Sequence, residues 1–161
     1  TDTFNLLNYI SYQFDQLNGI ALTPSDVFAQ AMRIYEDIEI LLETLEITDD
    51  TIPPVKQPQA RPSDTFVVAL DILKEIKRLV DKGPIEHIEL YGFKTLSEIT
   101  PNEVFTLTGI ILSELQVLKA HLSLKHMLTP IANYYHDRLP ADAQQILGWC
   151  LRKIKLIHAL K

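Results

Sequence analysis

The chain has 161 residues, 47% of them apolar, with 15 Lys and Arg against 21 Asp and Glu and a formal net charge of −6. That length suits a single domain, residues 1–161, with enough apolar content for a real core, and the acidic balance argues against a nucleic-acid partner, whose phosphates need a basic face. The single Cys150 excludes an internal disulfide, and no apolar run approaches the roughly 20 residues of a membrane span, so no integral membrane segment is expected.

In chain order, Asp2-Thr3-Phe4 opens a helical pattern expected over 2–18, with Gly19 as its C-cap. Thr23-Pro24-Ser25-Asp26-Val27-Phe28 opens a second, over 24–46. Arg61-Pro62-Ser63-Asp64-Thr65-Phe66 opens a third over 62–82, stopped by Gly83-Pro84. Thr100-Pro101-Asn102-Glu103-Val104-Phe105 opens a fourth over 101–127, and Leu139-Pro140-Ala141-Asp142 a fifth over 140–160. Proline is tolerated in a first helical turn, where its missing N–H has no partner to lose. The acidic residue two places later meets the positive end of the helix dipole.

The four prolines are spaced by 38, 39 and 39 residues, an internal period of the repeat-protein kind. Stepping 3, 6, 10 and 13 residues beyond the position of Phe28 gives Ala31, Ile34, Ile38 and Leu41. The equivalent steps give Ala69, Ile72, Ile76 and Leu79, then Thr108, Ile111, Leu115 and Leu118, then Leu147, Cys150, Ile154 and Ile157. The N-terminal copy runs Leu7, Ile10, Phe14 and Leu17. This is one coiled-coil-like apolar stripe per helix. Ile38, Ile76, Leu115 and Ile154 are therefore expected to be equivalent core positions, and Lys77, beside Ile76, a solvated residue whose truncation costs under about 0.5 kcal/mol.

The connections differ from one another far more than the helices do. Residues 47–61 carry Pro53, Pro54 and Pro58, which favour an extended, polyproline-like path. Residues 85–99 are apolar, with Tyr91 and Phe93, and 126–138 carry Tyr134, Tyr135 and Arg138. A link of fifteen residues at about 3.3–3.6 Å each outreaches a twenty-residue helix of about 30 Å. Each could return the chain to the starting end and make the helices parallel, or could join antiparallel pairs. The expected fold is all-α, a compact bundle of five long helices built from an internal repeat of about 39 residues. A short α-solenoid is the alternative.

Catalytic and metal chemistry find little to work with. His121 and His126 are five apart and so on different helix faces, and His87, with Glu86 and Glu89, has no second histidine close by. There is no G-x-S-x-G, P-loop or Gly-rich dinucleotide turn. Asp26 and Glu103 would form a carboxylate pair only if the helix starts cluster, and read first as helix-start charges. Cys150 sits on the apolar stripe and reads as core. No enzyme, no metal and no cofactor is expected. The basic Arg152, Lys153, Lys155, His158 and Lys161 complement a helix C-terminus, with an anionic surface as the alternative. The proline link reads as a spacer rather than a ligand for an aromatic groove.

Function is therefore expected in the connections, where individuality sits on a rigid scaffold. Tyr91, Tyr134, Tyr135 and Arg138 are the candidate binding residues, of types enriched at interfaces. The expected function is a non-catalytic helical module that binds a protein partner or itself. The alternative is a small-molecule sensor or carrier with a pocket between helices. The start at Thr1 without Met leans toward an exported protein whose leader was removed, or toward a trimmed N-terminus.

Overall fold

A computed structural model describes residues 21–81 and 98–160. Among them stand four α-helices and no strand: α1 (Pro24–Thr44), α2 (Pro62–Asp81), α3 (Pro101–His121) and α4 (Pro140–Ile154), the last continuing as a 3-10 helix over Lys155–Leu160. The helix expected over 2–18 lies outside the described residues, as does nearly all of the second connection, Tyr91 included.

Every helix starts at its proline, and the same device closes each start. The carboxylate two residues on accepts the backbone N–H of the residue before the proline: Asp26 from Thr23 at 2.7 Å, Asp64 from Arg61 at 2.8 Å, Glu103 from Thr100 at 2.8 Å and Asp142 from Leu139 at 2.9 Å. This is the acidic half of a capping box. These side chains thus do more than face a dipole. They also fix the entry angle of the chain.

Pro24, Pro62, Pro101 and Pro140 converge around one shallow pit, so the four helices run parallel. Hydrogen bonds between helix starts agree: Leu22 N donates to Asn102 Oδ1 at 3.2 Å, Thr65 Oγ1 to the Pro140 carbonyl at 3.3 Å, and Arg138 N to Ser25 Oγ at 3.1 Å. Parallel dipoles place four partial positive charges at one end, about half a unit each. Asp26, Asp64, Glu103 and Asp142 set four carboxylates there and offset the repulsion. Around the ring α1 touches α3 and α4, and α2 touches the same two. The chain therefore crosses the ring between α1 and α2 and again between α3 and α4.

The core is the expected stripe. Ile34, Ile38, Leu41, Ile72, Ile76, Ile111, Leu115, Leu147, Cys150 and Ile154 are fully buried, and Ala31, Ala69 and Thr108 occupy the small position at the same depth of three helices.

The helix ends differ from expectation. α3 stops at His121, not 127, and α1 at Thr44. At α1, Glu46 N bonds to Glu43 O and Ile47 N to Leu42 O. At α3, Ser123 N bonds to Ala120 O and Leu124 N to Lys119 O. These are matching Schellman caps, each with a left-handed residue, Glu46 at φ 55 and Ser123 at φ 63. Ile47 and Leu124 then pack on the core and hold the turn. Neither cap contains the glycine that announces such an ending in sequence.

Candidate functional site

Two described connections return the chain along the bundle as extended straps. The strap of residues 45–61 descends α4. Trp149 Nε1 donates to the Thr51 carbonyl at 3.2 Å, Arg152 to the Ile52 carbonyl at 2.8 Å and Gln145 to the Pro54 carbonyl at 2.9 Å, and Lys56 pairs with Asp142 at 2.6 Å. Side chains of α4 thus satisfy strap carbonyls that prolines leave without ladder partners. Pro54 lies so close to α4 that a Cβ on Gly148 would stand 2.9 Å from its Cγ. The expected spacer is a strap clamped to a helix.

The strap of residues 122–139 descends α1. Arg33 Nε donates to the Pro130 carbonyl at 2.9 Å, and Thr129 Oγ1 to Asp37 Oδ2 at 3.2 Å. Gln116 Nε2 reaches Thr129 from α3. At the bottom Tyr135 meets Phe28 edge-on at 4.9 Å, and the Arg138 guanidinium lies 4.6 Å above the Phe28 ring.

Buried charges stand at one depth of the four helices, and two of them, Asp37 and Lys153, pin the straps. Thirteen residues beyond each proline stand Asp37, Glu75, Glu114 and Lys153, all buried. Asp37 pairs with Lys119, both side chains wholly buried, and Lys119 Nζ also lies 3.4 Å from the Met127 carbonyl. Burial pushes the Asp37 carboxyl above the usual range, against the pull of Lys119 and Thr129. Glu114 pairs with Lys77 at 3.0 Å, which corrects the reading of Lys77 as a mere solvated residue. Lys153 joins Glu39 to Asp49 of the first strap and lies over the Trp149 and Tyr35 rings, 4.5 and 5.2 Å from their centroids. Burial lowers its affinity for the proton, but the two carboxylates outweigh that and raise its pKa. Asp49 is likewise pushed up by burial but held below the ordinary range by Lys153 and Thr51. Lys153 is therefore an internal clamp, not part of a basic outer face, and Arg152 is engaged with the strap.

Of the predicted binding residues, the structure brings Tyr134, Tyr135 and Arg138 to the foot of the second strap. Tyr135 is half-buried on the core. Arg138 is exposed and stacked on Phe28, and Tyr134 is 85% exposed. Higher on the same strap Leu128 and Ile131 are 83% and 89% exposed. Sequence reasoning missed these two, because nothing in the residue pattern of the connection separates an outward apolar side chain from one packed on the core. Tyr91 lies outside the described residues. Among the described residues no three His, Cys, Asp or Glu side chains gather as metal ligands. Asp26 and Glu103 are both spent on their own caps. Burial raises the Cys150 thiol far above its ordinary pKa, which keeps it protonated.

Comparison with known proteins finds no matching family model, no similar curated protein and no similar solved structure.

Proposed function

We propose that this is a non-catalytic protein-interaction module, one template of about 39 residues repeated with a fifth helix over 2–18, that binds through the strap of residues 122–139. The observation that carries the reading is the outward row of Leu128, Ile131 and Tyr134 on a segment anchored by Arg33, Asp37 and Phe28. Large apolar side chains so exposed stabilise nothing in the free chain, and on a fixed backbone they offer anchors at low entropic cost. Tyr134 and Arg138 belong to the types that dominate interface energetics.

The test compares Tyr134→Ser with Tyr135→Ser. Loss of binding to the native partner with unchanged stability for Tyr134→Ser supports the module. Equal binding by wild type and by a variant with Leu128, Ile131 and Tyr134 all changed to Ser ends it. A second reading, a small-molecule carrier, draws on the open groove of about 530 Å³ lined by Arg33, Ser113, Gln116 and Thr129. Native mass spectrometry of the purified protein decides it by showing or lacking a bound small molecule.

A further inference from the structure

We infer that the strap of residues 122–139 is a latch, which opens from the bundle as one piece while the strap of residues 45–61 stays closed until the bundle unfolds. This deepens the reading of the second strap as a binding surface, on which it rests, by naming what holds that surface in place.

The two straps are held in different ways. The first is gripped along its length: Asp49 by Lys153, the Thr51, Ile52 and Pro54 carbonyls by Trp149, Arg152 and Gln145, and Lys56 by Asp142. The second is gripped at one level. Lys119 Nζ reaches the Met127 carbonyl, Thr129 Oγ1 donates to Asp37, Gln116 donates to Thr129, and Arg33 donates to the Pro130 carbonyl. These holds all fall within residues 127–130, around the buried Asp37–Lys119 pair. Beyond them Ile131, Ala132, Asn133 and Tyr134 are exposed and hydrogen-bond to no described helix, until Tyr135 meets Phe28 at the foot.

Little apolar burial opposes the opening. Leu128, Ile131 and Tyr134 already face water, so lifting the strap uncovers chiefly the half-buried Met127 and Tyr135. Both ends carry left-handed residues, Ser123 at φ 63 and Asp137 at φ 54, whereas the first strap has one only at its start, Glu46. Such conformations cost free energy unless contacts hold them, and a few such residues suffice to turn a segment once the contacts let go. Opening frees Leu128, Ile131 and Tyr134 from their fixed backbone, so a partner engages only the closed fraction.

Native-state proteolysis tests the latch, because cleavage reads the population of the opened form. Trypsin is added to the full chain, and mass spectrometry follows the initial cuts after Lys125, in the latch, and after Lys56, in the first strap, both exposed. Ile76→Ala weakens the buried core equally in the closed and latch-open forms. It is expected to leave the Lys125 rate within about twofold and to raise the Lys56 rate about thirtyfold or more. Thr129→Val removes the hydroxyl that joins the strap to Asp37 and Gln116, and is expected to raise the Lys125 rate about fivefold or more. If Ile76→Ala speeds both cuts in the same proportion, the strap opens only with the bundle and the inference is overturned. A Lys56 rate that ignores Ile76→Ala overturns it too, since both straps then open alike. So does a Thr129→Val chain cut at Lys125 no faster than wild type. None of these measurements needs a partner, so their failure leaves the interaction module to be decided by Tyr134→Ser.

Discussion

Replacing Lys119 with Met tests whether the buried ion pair holds both the bundle and its strap. Met matches the length of Lys but carries no charge, so packing is nearly kept while Asp37 loses its cation. Both side chains are wholly buried, and Thr129 then remains as a hydrogen-bond donor to the carboxylate. Breaking a buried pair from one side costs about 3–5 kcal/mol, because the remaining charge has neither water nor partner. Stability of a domain is about 5–15 kcal/mol, so the loss is a large share of the whole. With a urea slope of about 2 kcal/mol/M the midpoint falls by roughly 2 M. The pH dependence carries the mechanism. Burial already raises the Asp37 carboxyl with Lys119 present, and without Lys119 it rises further. A raised acid favours the fold once protonated, so the deficit of the variant shrinks as pH falls through that elevated value. Asp37→Leu added to Lys119→Met should recover most of the loss, since an apolar replacement of both partners is often neutral or stabilising. A deficit below about 1 kcal/mol, or one equal at pH 5 and pH 8, would refute the reasoning.

Two glycines should respond with opposite signs to alanine. Gly148→Ala pushes a Cβ to 2.9 Å from the Pro54 ring and should lower stability by about 1–3 kcal/mol, whereas Gly109→Ala meets nothing within 4 Å and should raise it by about 0.5–1; thermal denaturation of both reads the difference. Ser123→Gly relieves a left-handed residue at φ 63 and should stabilise by about 1 kcal/mol, as measured by urea midpoint. Ile76→Ala should cost about 2–5 kcal/mol as a core truncation, and Lys77→Ala about 1–3, because it strips a buried Glu114 of its cation. In acid, Asp49 and Asp142 sit below their ordinary pKa: burial raises both, but Lys153 with Thr51, and Lys56 with the Leu139 N–H, outweigh it. Their stabilisation is full above the unfolded value near pH 3.9 and is lost as pH falls through the depressed folded values, so Asp49→Asn should flatten the acid limb of a stability–pH curve.

The helices and their inward faces were legible in the sequence because they rest on local rules. Proline at the first helical position, a carboxylate two residues later and an apolar stripe at helical spacing need no distant partner to be recognised, and every predicted stripe position from Ala31 to Ile157 is buried. Helix ends were less legible, since Glu46 and Ser123 adopt a conformation usually advertised by glycine and do so only because Ile47 and Leu124 anchor the turn on the core. The direction of the helices was open from sequence, as links of this length permit either sense. What decided it was tertiary: straps satisfied by Arg33, Gln145, Trp149 and Arg152, and partners from other helices for the buried Asp37, Glu114 and Lys153. A charged residue in a helical pattern looks solvated until its partner is known, so Lys77, Lys119 and Lys153 could not be told from surface lysines. The outward row of Leu128, Ile131 and Tyr134 was hidden for the mirror reason. Apolar side chains read as core until an extended strap, pinned on its other side, leaves them facing water.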